Sequence, residues 1–321
     1  MKKVSVSLPC YNEEGNVRVL AQAIIQQFED NLPEYDYELQ FIDNCSTDGT
    51  RQILEKLCQE NPQHIKAIFN SRNFGPNASS YYGLMQTTGD CSIPMATDFQ
   101  TPPELIPTLV REWEKGAKVV CAIRTGSKEN WGMRTIRKLY YKLIDKFSDI
   151  EQLSGFTGFG CYDRKFLDIC RKIDDPLPSF RGMVAEFGYK MVLVPFEQPK
   201  RKSGKSKNNF YTLFDIAMKN FTMYTKVGLR CATLLGFLIA GLSVLIGLVY
   251  LVMKCIWWSS FQAGIAPVLI GMFFLGAVQL VFIGFLGEYV MNINLRIMKR
   301  PLVIEERRLN FEEQEQREEK A

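Results

Sequence analysis

The residue types in this chain that could do chemistry are carboxylates, amides and cations. One short-range grouping of them is in residues 94–104, PMATDFQTPPE. Residues 93–95 are an apolar run that predicts a short strand, and Asp98 and Gln100 follow it. Pro102-Pro103 then predicts a helix opening near Glu104. That sets a carboxylate and an amide just past the C-terminal end of a strand, the edge at which open α/β sheets bind ligands. A hard cation such as Mg²⁺ or Mn²⁺ takes oxygen ligands and accepts substrate phosphates in the same shell. Asp98 and Gln100 could supply two such oxygens. The plain alternative is a polar turn ahead of a proline-started helix, so the rest of the chain has to decide.

Composition removes several other chemistries. His64 is the one histidine, so histidine-based triads and His-rich metal sites are unavailable. The nine cysteines contain no Cys-x-x-Cys pair, and they read as small buried hydrophobes in a reducing compartment. A net charge of +4, without a basic stripe interleaved with aromatics, argues against nucleic acid as a partner. No dinucleotide fingerprint is present, because Asp163 stands where the third glycine after Gly158 and Gly160 would be. Gly204-Lys205-Ser206 imitates the end of a Walker loop, but Pro199 occupies the first glycine position. A phosphate ligand would have to be held by a metal and basic side chains.

The elements that must position these groups are legible from periodicity. Val4, Val6 and Leu8 alternate with Ser5 and Ser7, a strand pattern that ends in Pro9-Cys10-Tyr11-Asn12-Glu13-Glu14. A second strand over 37–42 ends in Asp43, and a capping-rich turn, NCSTDGT, leads into a helix. A third strand, 65–69, ends in the run Asn70-Ser71-Arg72-Asn73-Phe74-Gly75. A helix runs through 81–85, and after the strand at 93–95 and its helix to Lys115 a further strand spans 119–123. This alternation predicts a mostly parallel sheet covered on both faces. Right-handed crossovers then bring Asn12, Glu13, Asp43, Arg72, Asp98 and Gln100 to one edge.

The second half changes character. Residues 131–149 and 210–224 show apolar residues at helical spacing among basic ones, and so predict amphipathic helices. The first could lie on a membrane or pack on the domain; the second leads directly into an apolar region and reads as interfacial. No charge occurs between Arg230 and Lys254, or between Lys254 and Glu288. Each gap exceeds the ~20 residues a spanning helix needs. The expected organisation is an α/β domain over 1–208, an interfacial helix over 209–228, and spans at 229–253 and 265–290. A short loop, 254–264, joins the spans, and a charged tail, 291–321, follows. Basic residues flank the pair on its outer sides, with Lys254 alone in the loop, so the positive-inside rule places both termini in the cytoplasm. Residues 305–321 read as a solvated helix or disordered.

These pieces resemble the family 2 glycosyltransferases with a GT-A fold, in particular the polyprenyl-phosphate branch of the dolichyl-phosphate mannose synthase and bactoprenol glucosyltransferase type. The resemblance rests on Pro9-Cys10-Tyr11-Asn12-Glu13-Glu14, Ser46-Thr47-Asp48-Gly49-Thr50, Ser71-Arg72-Asn73-Phe74-Gly75 and Asp98-Phe99-Gln100-Thr101-Pro102-Pro103-Glu104. It continues through Phe180-Arg181-Gly182, the run 201–207 and Lys299-Arg300-Pro301, in the same order along nearly the whole chain.

The resemblance implies an inverting transfer of one sugar from a nucleotide-sugar donor to a polyprenyl phosphate, undecaprenyl or dolichyl, at the cytoplasmic membrane face. It implies that Pro9, Tyr11, Glu13 and Asp43 hold the base and ribose, with Arg72 also on the donor side. Asp98 and Gln100 would bind Mg²⁺ or Mn²⁺ on the diphosphate. Arg181 and Arg201, with Asp98, would form the catalytic set, and Arg201, Ser206 and Lys207 would meet the lipid phosphate. It also suggests a homo-oligomer, a tetramer being one form. The chain departs from the family pattern in three places. Ala96 stands at the first carboxylate of Asp-x-Asp-x-Gln, Gly158 at the aspartate of Gly-Asp-Phe-Arg, and Asn44 at a second acidic residue beside Asp43. A catalytically silent, membrane-anchored binding module is therefore a second reading. A polysaccharide synthase is a weaker third, since no Gln-x-x-Arg-Trp motif is present.

Overall fold

The computed structural model describes residues 1–125, 153, 155–173, 175, 178–199, 227–257, 265–298 and 300–311. The chain divides into two units. One comprises Met1–Lys138, Ile150–Lys207 and Lys299–Ala321; the other comprises Leu139–Asp149 and Asn208–Met298.

The first unit is built on an eight-stranded sheet. Its strands are β1 (Lys3–Cys10), β2 (Asp36–Asp43), β3 (Ile65–Asn70), β4 (Cys91–Pro94), β5 (Val119–Arg124), β6 (Phe156–Asp163), β7 (Met191–Phe196) and β8 (Glu305–Leu309). Their spatial order is β7-β5-β6-β4-β1-β2-β3-β8. β1 to β4 pair in parallel, as the alternation predicts, while β6 and β8 run antiparallel to their neighbours. Helices α1 (Val17–Asn31), α2 (Thr50–Glu60) and α4 (Ile106–Glu114) bury apolar residues against one face. Helices α3 (Pro76–Met85), α5 (Arg164–Lys172) and α6 (Phe180–Glu186) cover the other.

The alternation in β1 is one of size, not of exposure. Val4, Val6 and Leu8 face the larger core, while Ser5 and Ser7 are equally buried on the other face, Ser7 beneath α3 and Ser5 beneath Gly89. A Cβ on Gly83 would lie 2.8 Å from a methyl of Ile42 and 3.3 Å from Ser7 Oγ, so small residues on both sides let α3 settle onto the sheet. At the opposite end from the candidate site, buried Glu38 accepts from Ser5 Oγ (2.6 Å), the Thr88 N–H (2.6 Å) and Lys66 Nζ (2.9 Å). Burial alone would raise this carboxyl, but the donors outweigh it and hold it at about 2.

Several expectations are revised. Residues 305–309 are neither a solvated helix nor disordered: they return as β8 and close the β3 edge, which would otherwise be open to pairing with another chain. Asp163, at the absent third glycine, caps α5 by accepting from Lys165 N and also takes a 2.8 Å bond from Trp113 Nε1. Among the described residues six cysteines are buried as expected, but Cys45 is half-buried and Cys255 exposed.

The second unit contains α7 (Val227–Ile256) and α8 (Ile265–Ile297). The sequence predicts two spans. Among the described residues one segment is long and apolar enough to cross a membrane, Phe274–Leu295 in α8; the apolar stretch of α7 is shorter, Leu234–Val249. The amphipathic segments expected over 131–149 and 210–224 lie outside the described residues.

Candidate functional site

The candidate site is the C-terminal edge of β4-β1-β2-β3, where strand order reverses between β1 and β4. Proline opens this crevice. The Pro9 carbonyl accepts from Thr97 Oγ1 at 3.0 Å and so faces β4. The N–H that proline lacks would face the same way, so the β1–β4 ladder stops at Ser7–Pro94. One left-handed residue re-aims each of the four loops leaving this edge: Asn12 (φ 58°), Cys45 (φ 62°), Gly75 (φ 89°) and Phe99 (φ 62°). Only glycine and asparagine adopt that conformation readily.

Asp98 stands on a tight hydrogen-bonded turn. Its Oδ1 accepts the Gln100 N–H at 3.1 Å. Thr101 Oγ1 closes the turn, accepting from Ala96 N at 3.0 Å and donating to Ala96 O at 3.2 Å. Phe99 anchors the turn in the core. Asp98 and Gln100 are thus adjacent on one turn at the crevice, as their spacing suggests. Among the described residues no three of His, Cys, Asp or Glu gather as a ready-made metal cage. The donor set on offer, one carboxylate and one amide, fits a divalent ion that completes its shell with substrate phosphates and water.

The β1–α1 and β2–α2 loops are stitched together. Asn12 N donates to Ser46 Oγ (2.9 Å), Thr47 N to Asn12 Oδ1 (2.8 Å), Glu13 N to Thr50 Oγ1 (2.9 Å) and Gly49 N to Glu14 Oε2 (2.8 Å). Glu13 also accepts from Asn16 Nδ2 at 2.5 Å. Tyr11 and Glu13 are half-buried in this seam. Asp43 is placed differently from the expectation of direct ribose contact. Its carboxylate is fully covered, accepting the Ser46 N–H at 3.1 Å with Arg51 Nε 3.2 Å away. Burial pushes this carboxyl up, and Ser46 and Arg51 pull it partly back.

Asn44 joins the second and third loops. Its Oδ1 accepts from Asn70 Nδ2 (3.1 Å) and from the Phe74 N–H (3.0 Å), while its Nδ2 donates to Asn73 Oδ1 (2.9 Å). A carboxylate could not make the last bond. Arg72 is exposed, its guanidinium 4.1 Å from the centroid of the Phe74 ring. Arg181 is the second residue of α6, and its side-chain stem lies beside Gly158, where a Cβ would be 3.8 Å from Arg181 Cγ. Arg201, Ser206 and Lys207 lie outside the described residues. Sequence reading missed Arg51, Ser46, Asn73, Thr97 and Thr101 as organisers of the edge. Four of them gave a faint signal, as short polar residues in loops already rich in them, and Arg51 lies in the first turn of a helix.

Three comparisons bear on this arrangement. A family model described as Glycosyl transferase family 2 matches residues 5–170, just over half of the chain and all four loops. The bactoprenol glucosyl transferase of Shigella phage SfX is 30% identical over 300 residues, 93% of this chain and 97% of that protein. A prophage bactoprenol glucosyl transferase homolog of Escherichia coli (strain K12) is 28% identical over 303 residues, 94% of this chain and 98% of that one. An uncharacterized glycosyltransferase, sll0501, of Synechocystis is 29% identical over 304 residues, 94% of each chain.

Proposed function

The chain belongs to glycosyl transferase family 2, and from that premise we propose that it moves one sugar from a nucleotide-sugar donor to a polyprenyl phosphate at the cytoplasmic membrane face, with inversion. The observation that carries the reading is the Asp98 turn at the β1/β4 reversal, in a chain alignable almost end to end with a bactoprenol glucosyl transferase.

Tyr11 and Glu13 flank the base and ribose, Pro9 shapes the crevice floor, and Asp43 serves through the turn that covers it. Arg72 adds a cation on the donor side. Asp98, with Gln100, would hold Mg²⁺ or Mn²⁺, which when bound neutralises charge developing on the departing diphosphate. Arg181, beside Gly158, meets the same charge or that of the acceptor. Arg201, Ser206 and Lys207 bind the lipid phosphate. The acceptor oxygen bonds to the anomeric carbon as the bond from that carbon to the diphosphate breaks. Attack from the opposite side inverts the centre. A phosphate acceptor is already anionic at neutral pH, so it needs positioning more than a base. That requirement is compatible with Gly158 and Ala96 standing where relatives carry carboxylates.

The membrane arrangement we propose is a hairpin of α7 and α8. The pairing of β8 with β3 supports it: the chain leaves and re-enters one folded unit on either side of the helices, which calls for an even number of crossings. A homo-oligomer, tetrameric in one form, completes the reading. The test is turnover in detergent with a short polyprenyl phosphate and a panel of labelled nucleotide sugars. Transfer from one donor supports the reading. Donor binding without transfer would favour the silent module.

A further inference from the structure

β8 reaches the donor loops through one arginine. Arg51, in the first turn of α2, donates from Nη2 to Glu306 Oε2 at 2.6 Å, and its Nε lies 3.2 Å from Asp43 Oδ2. That Nε is buried without a hydrogen bond, so its hold on Asp43 is that of a charge. Glu306 is available because the β3–β8 register slips. Phe69 faces Arg307 and Asn70 faces Glu305, leaving Glu306 as the extra residue of a bulge, which re-aims its side chain. Two guanidiniums lie near the buried Phe69 ring, Arg51 at 5.2 Å and Arg307 at 4.5 Å from its centroid. Arg307 also pairs with Glu55 of α2. Two ion pairs therefore fasten β8 to α2, and one of them continues inward.

From Asp43 the connection runs on through bonds already given. Asp43 holds the Ser46 N–H, Ser46 Oγ holds the Asn12 N–H, and Asn12 lies between Tyr11 and Glu13. Without Glu306 the Arg51 charge would be drawn onto Asp43 alone, and the carboxylate's grip on the turn would change.

We propose that Glu306 is a positioning residue for the donor site, acting through Arg51, Asp43 and Ser46, so that docking of β8 sets the geometry of the Tyr11–Glu13 loop and with it donor affinity. This rests on the reading of those loops as the donor site. It gives the segment that follows α8 a part in the reaction although it touches no substrate.

The test uses the full chain in detergent micelles. It is titrated with uridine diphosphate and with guanosine diphosphate in Mg²⁺, and hydrogen exchange is followed in peptides covering residues 8–16 and 43–50. Glu306→Gln should quicken exchange in both peptides. It should also weaken whichever diphosphate the wild type binds by roughly two- to fivefold, the range for one partly exposed ion pair. Glu306→Asp should restore part of both effects. Glu55→Gln, which frees Arg307 but leaves Arg51 alone, should leave both readouts at wild-type values. Unchanged exchange in Glu306→Gln, unchanged affinity despite faster exchange, or equal effects of Glu306→Gln and Glu55→Gln would each overturn the proposal. If the wild type binds neither diphosphate while exchange responds as expected, the donor reading falls and the β8 connection stands.

Discussion

Phe99 holds φ 62°, a conformation that costs an L-residue about 1–2 kcal/mol. Burial of its ring offsets that, and the result is an Asp98 presented on a turn fixed before any ligand arrives. Asp98→Asn keeps an oxygen for the Gln100 N–H, so the fold should survive. Turnover should fall roughly a hundredfold or more, and a chelator should do the same to wild type. Sugar transfer measured beside a melting curve checks this; normal turnover in the variant removes Asp98 from the metal site. Asn44→Asp loses the bond to Asn73 and sets two acceptors face to face, which should cost about 1–3 kcal/mol, read as a lower melting temperature. Glu38 predicts a pH dependence. Its folded value of about 2 lies below the ordinary 4.5, so its contribution is complete above about pH 4.5 and fades as pH falls toward 2. That contribution is about 3 kcal/mol at neutral pH. Glu38→Gln should therefore melt well below wild type at pH 7, and the gap should narrow between pH 5 and pH 3.

At the scale of elements, the loops after β1 to β4 work as one object because each is bonded to its neighbour. Thr97 ties the fourth loop to the first, Asn12 and Ser46 tie the first to the second, and Asn44 and Asn73 tie the second to the third. β8 closes the sheet beside the third. Its fastenings include Asn310 Nδ2 donating to the carbonyls of Cys58 and Ile65, both at 2.8 Å, and Arg308 donating to Gln86 Oε1 at 3.0 Å. Removing residues 301–321 should uncover the β3 edge, lower the melting temperature and promote self-association, which light scattering would detect. A truncated chain that stays monodisperse with unchanged melting would show that β8 contributes little.

For the whole molecule, the chain makes one folded unit from three sequence segments, the last of which follows the apolar helices. If α7 and α8 form a hairpin, a reporter fused after Ala321 and a label at Ser259 should report opposite sides of the membrane. Both on one side would rule the hairpin out. The basic residues that flank the pair, Lys219, Lys226, Lys299 and Arg300 among them, motivate the expected orientation, with the label outside and the reporter in the cytoplasm.

How much of this was legible beforehand depended on the range of the interaction. Periodicity over a few residues reports which faces are buried, so β1 to β5, the four loops and the apolar helices could be read from local pattern alone. The placement of Asp98 and Gln100 past a strand end followed from the same local signal. Three features did not, because each depends on how loops and edges fold onto one another, which periodicity does not report. Glu305–Leu309, EERRL, has the composition of a solvated tail and becomes a strand only because β3 presents an open edge with Phe69 ready to receive Arg307. Asp43 looks like an exposed acid at a strand end, and only the fold of the 44–46 turn and the approach of Arg51 cover it. Asn44 looks like a lost carboxylate. The neighbouring loop, through Asn73, Asn70 and Phe74, makes the amide the group that fits, since donor and acceptor are both required there.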